Sequence, residues 1–174
     1  MSATRARVRP GTRATHSPYH AGMSHDIDWQ AWIAERHRLF EQRASLNQYL
    51  GLHLEEAGPG WAKMRLVLRP DVMNPFGAVH GGSVAALIDS VAGSAIAAGT
   101  LPDDRIRGTI DMQVHFLERA RGAFLLAEGR MVRAGKSVAV AQVNVRDDAG
   151  ALVAMGTATF RLAEAGTQRA RNED

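Results

Sequence analysis

Residues Gly81 to Gly99 read GGSVAALIDSVAGSAIAAG, and this stretch decides the fold. It has the length of a helix, with Val84, Leu87, Ile88, Val91 and Ala95 on one strongly apolar face. Its one charge, Asp89, lies about 140° from the centre of that face at 100° per residue. The neighbours of Asp89 on the helix surface are Ala85, Ala86, Ala92, Gly93 and Ile96, where a solvent face would carry Lys, Glu or Arg. Such a helix is buried nearly all round, or packs closely against a second chain. An aspartate in that setting needs a partner. It either bonds incidentally to nearby serine or backbone groups or is a working carboxylate.

The segment upstream is Asn74-Pro75-Phe76-Gly77-Ala78-Val79-His80-Gly81-Gly82. Two glycines open the helix, where backbone N–H groups are free and the dipole is positive. Glycine lets a ligand approach that backbone closely. An N–H so placed suits an oxyanion, with each donor contributing roughly 2–4 kcal/mol to a tetrahedral transition state. A plain tight turn accounts for a glycine pair equally well. Gly81 and Asp89 are separated by roughly 12 Å of helix rise. One carbonyl cannot touch both within one chain, so a site using both takes its aspartate from a second subunit. Two such helices, side by side and antiparallel, make two equivalent sites at a two-fold interface.

Outward from the helix, the pattern is of strands. Leu50 to Ala57 and Trp61 to Arg69 flank the turn Gly58-Pro59-Gly60. Thr109 to Leu117 alternates, with Ile110, Met112, Val114 and Phe116 on one face and Thr109, Asp111, Gln113 and His115 on the other. Ala123 to Arg133, Ser137 to Asp147 and Ala151 to Leu162 follow, joined at Gly135-Lys136 and Asp148-Ala149-Gly150. Short turns imply antiparallel neighbours. Before the strands, Asp26 to Arg43 reads as an amphipathic helix capped by Asp26 or Asp28, its apolar face made of Trp29, Trp32, Ile33, Leu39 and Phe40. A single uncharged helix among antiparallel strands is expected to be wrapped by the sheet, an α+β arrangement.

The chain of 174 residues fits one domain with tails: residues 1–24 as an unstructured tail, 25–163 as the folded domain and 164–174 as a frayed end. The first segment is Arg-rich and acid-free, as a transit peptide would be; an upstream start, with Met23 as the natural one, also fits. Arg5, Arg7, Arg9 and Arg13 precede the first acidic residue; without them the formal charge of +3 becomes about −1. A nucleic-acid surface is therefore not indicated. The absence of cysteine excludes disulfides, thiolate metal sites and a cysteine nucleophile, and is compatible with a cytoplasmic setting. The most apolar run, Gly81 to Gly99, is interrupted by Asp89 and by serines and glycines, and reads as a core helix rather than a membrane span.

The run NPFGAVHGGSVAALIDSVAGSA closely resembles the signature of hotdog-fold acyl-CoA thioesterases of the phenylacetate-pathway (PaaI) type. That group carries an Asn, a Gly, then His-Gly-Gly, and an Asp nine residues after the His, as His80 and Asp89 stand here. The likeness extends through Thr109-Ile110-Asp111-Met112, the hairpin Arg133 to Ser137 and the ending Gly150 to Phe160, covering roughly residues 51–162. It implies a hotdog fold, an antiparallel sheet around one long central helix. It also implies a homodimer paired into a homotetramer, and a thioester site at the dimer interface. No metal or redox cofactor is implied, and coenzyme A enters as part of an acyl- or aryl-CoA substrate.

By that resemblance Gly81 polarises the thioester carbonyl and Asp89 acts as general base or nucleophile. Asn74 orients water or the carbonyl, Thr109 positions Asp89 or the water, and His80 assists the leaving thiol or braces the loop. Gly82 and Phe76 belong to the substrate site, with Met73 and Leu50 as further acyl-pocket residues. Arg119, Arg133 and Lys136 either meet the phosphates of coenzyme A or stand as solvated turn charges. His115 reads as structural. The same pocket would serve a non-catalytic acyl-CoA sensor, but binding alone does not need the carboxylate. A hydratase of this fold would carry a different His–Asp or His–Glu pattern.

Overall fold

The computed structural model describes residues 27–42, 45–101 and 105–164. The elements in order are α1 (Trp29–Gln42), α2 (Leu46–Leu50), β1 (Leu52–Gly58), β2 (Trp61–Val67), α3 (Gly81–Gly99), β3 (Ile106–Phe116), β4 (Phe124–Ala134), β5 (Val138–Asp147) and β6 (Leu152–Leu162). The expected tails, apart from Glu164, lie outside the described residues, as do Asp26 and Arg43.

Asp28 caps α1, its Oδ1 accepting from the Ala31 N–H at 3.0 Å. Ile33 is buried, with Trp29 and Trp32 half-buried and edge-to-face at 5.9 Å. Leu39 does not join this face and is 43% exposed. Six residues beyond Ile33, it lies about 120° round the helix from it. The expected strand start at Leu50 is corrected: Leu50 ends α2. Ser45 caps that helix at its start, and Gly51, at φ 70°, ends it in the left-handed conformation that glycine adopts without strain. β1 begins only at Leu52.

All six strands form one antiparallel sheet in the order β1-β2-β4-β5-β6-β3. β4, β5 and β6 are sequential neighbours, as their turns imply, but β3 and β4 are not. β3 pairs with β6 at the sheet edge, because α3 crosses the sheet and delivers the chain to its far side. β3 also starts three residues earlier than expected, at Ile106. Its register is broken twice, at Arg107 and again at Ile110. Thr109 opposes Phe160 and Asp111 opposes Thr159, so Ile110 is an extra residue in the ladder, a β-bulge. The bulge turns Thr109 to the helix side of the sheet, the side of Met112 and Val114, rather than the outer face expected for it.

The sheet packs on α3, whose Leu87, Ile88, Val91, Ala95 and Ile96 are fully buried. By length and mean hydropathy, 1.4, α3 would suffice for a membrane span; its burial under the sheet makes it a core helix. It is not buried all round. Gly82 is exposed, and Ala85, Ala86, Asp89, Ser90 and Gly93 are half-buried, so one stripe of small residues faces outward. Contact on the buried side is close. A Cβ on Gly129 would sit 3.0 Å from the Val91 carbonyl oxygen, and one on Gly156 would sit 2.9 Å from both Ile88 Cγ2 and the Gln113 carbonyl oxygen. Gly156→Ala therefore forces β6 away from α3 or β3, and should lower stability in urea unfolding by about 1–3 kcal/mol.

Candidate active site

The loop leading into α3 is held from within and from outside. Asn74 Oδ1 accepts from the Phe76 N–H at 2.9 Å and the Ala78 N–H at 3.1 Å. The Asn74 N–H donates to the Ala78 carbonyl at 2.7 Å, and Met73 bridges Val79. Gly77, at φ 68°, makes the turn possible. From across the loop, Arg119 donates to the carbonyls of Phe76 and Gly77 at 3.3 and 3.0 Å. Asn74 and Arg119 thus shape the loop. Phe76 lies on its outer side, 86% exposed, and Leu50 lies in the core, so neither forms a pocket wall within the chain.

His80 is the N-cap of α3. Its Nδ1 accepts from the Gly82 N–H at 2.9 Å, and its carbonyl accepts from Ser83 and Val84 at 2.9 and 3.2 Å. Of the four N–H groups in the first turn, only that of Gly81 has no acceptor among the described residues. Gly81 opens on a cleft of about 220 Å³, whose walls include Val79, Val84, Phe116 and Val153, with Glu118 and Arg119 also lining it. Sequence reading missed Phe116 as a site residue. Alternation marked it only as apolar, and its place beside Gly81 follows from β3 lying at the sheet edge.

Asp89 is more than two turns further along α3 and does not line this cleft. Among the described residues it has one side-chain partner: Thr109 Oγ1 donates to Asp89 Oδ1 at 2.7 Å. The bulge at Ile110 makes this possible by aiming Thr109 at the helix. Next to Asp89, Ser90 Oγ donates to Asn47 Oδ1 at 2.8 Å and ties α2 to α3. The single chain thus holds two half-sites: Gly81 with its cleft, and Asp89 with Thr109 on the open stripe.

Arg133 and Lys136 belong to neither half-site within the chain. They lie at the β4–β5 hairpin, at the end of the sheet away from the cleft, where Lys136 faces Glu164 at 3.7 Å in full exposure. His115 opposes Met155 and is exposed, on the side of β3 away from α3.

The cap geometry makes His80 a stability residue whatever else it does. His80→Ala should lower stability by about 1 kcal/mol, while His80→Asn, which keeps an acceptor at the N-cap, should stay near the unsubstituted protein in urea unfolding.

Residues 76–154 match the family model described as the thioesterase superfamily. The chain is 30% identical over 138 residues to the medium/long-chain acyl-CoA thioesterase YigI of Salmonella typhimurium, over 71% of this chain and 89% of that one. Among solved structures, conserved protein PA5202 from Pseudomonas aeruginosa superposes with a TM-score of 0.65 at 27% identity, over 71% of this chain and 98% of the other. The thioesterase HI1161 from Haemophilus influenzae superposes at 0.70 with 19% identity, over 79% and 94%, a likeness of fold. The six-stranded sheet around one long helix is the hotdog fold of these proteins. The chain belongs to the thioesterase superfamily, and is a hydrolase of that family.

Proposed function

We propose that this protein hydrolyses acyl- or aryl-CoA thioesters to the free acid and coenzyme A, at a site shared between two copies of the chain. The observation that carries this reading is the Gly81 N–H, the one first-turn donor without an acceptor among the described residues, facing an apolar cleft. It is suited to the thioester oxygen, where negative charge develops as the carbonyl carbon becomes tetrahedral. The His80–Asp89 spacing supports a thioesterase of the phenylacetate-pathway type. The name of the Salmonella relative supports acyl chains among the substrates.

Asp89 comes from the second copy. The open stripe of Gly82, Ala85, Ala86, Asp89, Ser90 and Gly93 suits close packing against its counterpart on an antiparallel α3. The outer edge of β3 has no neighbouring strand among the described residues, so two sheets can join there, and a pair of such dimers would give a tetramer. Asp89 then takes a proton from the attacking water, or attacks the carbonyl itself to give a mixed anhydride that water hydrolyses. When Asp89 acts as base, the C–S bond breaks and the proton it took passes to the departing sulfur; when it attacks, the C–S bond breaks as the anhydride forms and the thiolate takes its proton from solvent. Thr109 fixes the rotamer of Asp89 through Oδ1 and leaves Oδ2 for the chemistry. Arg133 and Lys136, far from their own chain's cleft, are offered to the phosphates of a coenzyme A bound across the interface. The proposed reaction uses these groups and water, with no metal or redox cofactor, and a cytoplasmic setting agrees with it.

Thiol release from a panel of CoA thioesters tests the activity. Asp89→Asn should lower kcat by roughly 10²- to 10⁴-fold. Thr109→Val should lower kcat by about tenfold, with Thr109→Ser near the unsubstituted rate, since the loss is of one positioning hydrogen bond. No thiol release from any substrate, with coenzyme A still bound, would refute hydrolysis. Mixing two inactive chains tests the shared site. Gly81→Pro removes the N–H at a position where proline suits a helix, and Asp89→Ala removes the carboxylate. Each hybrid dimer regains one intact site, so an equal mixture should recover about a quarter of full activity; confirmed hybrids without activity would overturn the shared site.

A further inference from the structure

We infer that Phe116 determines which acyl groups the site accepts, by limiting bulk on the carbons next to the thioester carbonyl. This rests on the hydrolase reading above. Phe116 ends β3 opposite Ala154, and residues so opposed project to the same face, here the side of α3. Ala154 is small and buried, which leaves the ring room to lean toward the helix start. There the ring edge meets Gly81: a Cβ on that glycine would lie 3.3 Å from Phe116 Cζ and 3.6 Å from Cε1. The remainder of the ring faces the cleft, and the side chain is 59% exposed.

An oxygen accepting from the Gly81 N–H lies about 2.9 Å from that nitrogen. The carbonyl carbon and its first substituents then pass beside the Phe116 ring. The neighbouring walls are fixed. Val84 and Val153 are short, branched and buried, at 5% and 3% exposure, and are held by the core. Phe116 is the largest apolar wall and, unlike Val84 and Val153, has room to move. Methyl-sized changes in an apolar pocket alter discrimination by roughly 10- to 200-fold, so an aromatic ring at this position is enough to sort linear from branched or aryl groups.

The test compares kcat/KM for butanoyl-, 2-methylpropanoyl-, octanoyl- and benzoyl-CoA in the unsubstituted protein and in Phe116→Ala, Phe116→Leu and Phe116→Trp. Phe116→Ala should raise the ratio of branched and aryl to linear substrates by about tenfold, Phe116→Leu should fall between, and Phe116→Trp should lower the ratio. A purely structural role would change all substrates in parallel. Ratios that stay within about twofold of the unsubstituted protein's in both the Ala and Trp variants, against a margin of tenfold for one lost contact, overturn the inference and leave the hydrolase reading standing. An unsubstituted protein that releases thiol from none of the four substrates, nor from any in the wider panel, overturns both.

Discussion

The whole chain is arranged around a helix with no side chain large enough on its working face to hold anything away from it. Alanine, glycine and serine fill most of α3, and the sheet answers with Gly129 and Gly156 at the points of closest approach. At Gly129 a strand comes so near the helix backbone that a Cβ would lie 3.0 Å from the Val91 carbonyl oxygen, and at Gly156 the missing side chain makes room for Ile88. A helix packed this closely has little freedom to shift along its axis. Its N-terminus and the position of Asp89 are therefore fixed relative to β3 and β6. The same small residues continue round to the open stripe, where a second helix can approach as closely as the sheet does.

Two departures from regular structure shape the two half-sites. At the helix start, a histidine ring rather than a small polar side chain supplies the cap, and it takes the second N–H and leaves the first. On β3, one extra residue reverses the facing of Thr109 and gives Asp89 a hydrogen bond. Without the bulge, Thr109 would share the outer face with Asp111 and His115, and the carboxylate would have no side-chain partner among the described residues. Both devices act locally on backbone direction and leave the core undisturbed.

Much of this was legible in the residues. The bounds of α3, its one apolar face and the odd position of Asp89 follow from helical spacing, and the meander of β4 to β6 follows from its turns. The short helix α2 escaped because five residues cannot show a period, although its capping signals, Ser45 and Gly51, stand in the sequence. The place of β3 beside β6 is a long-range pairing that no local pattern encodes. The bulge at Ile110 is also silent: an isoleucine between a threonine and an aspartate looks like perfect alternation, and only the ladder partner reveals the extra residue. For the same reason Phe116 read as one more core-facing strand residue, when its position at the end of an edge strand puts it at the cleft. Phe76, apolar and next to the glycines, was expected at the pocket, but the turn closed by Asn74 carries it outward.

The cap on α3 also limits what His80 can do as an acid. A backbone N–H pointing at Nδ1 requires a lone pair there, so the neutral imidazole carries its hydrogen on Nε2. The tautomer is chosen by the helix and not by the substrate. With Nδ1 committed to the fold, the neutral ring can offer its Nε2–H to a departing sulfur as a hydrogen bond, but transfer of that proton would leave an imidazolate, so the sulfur takes its proton from another source. If the ring accepted a second proton at Nδ1, it would lose its bond to Gly82 and loosen the turn that presents Gly81. A contact from this histidine to a departing sulfur and the shape of the turn that presents the Gly81 N–H are thus served by opposite edges of one ring.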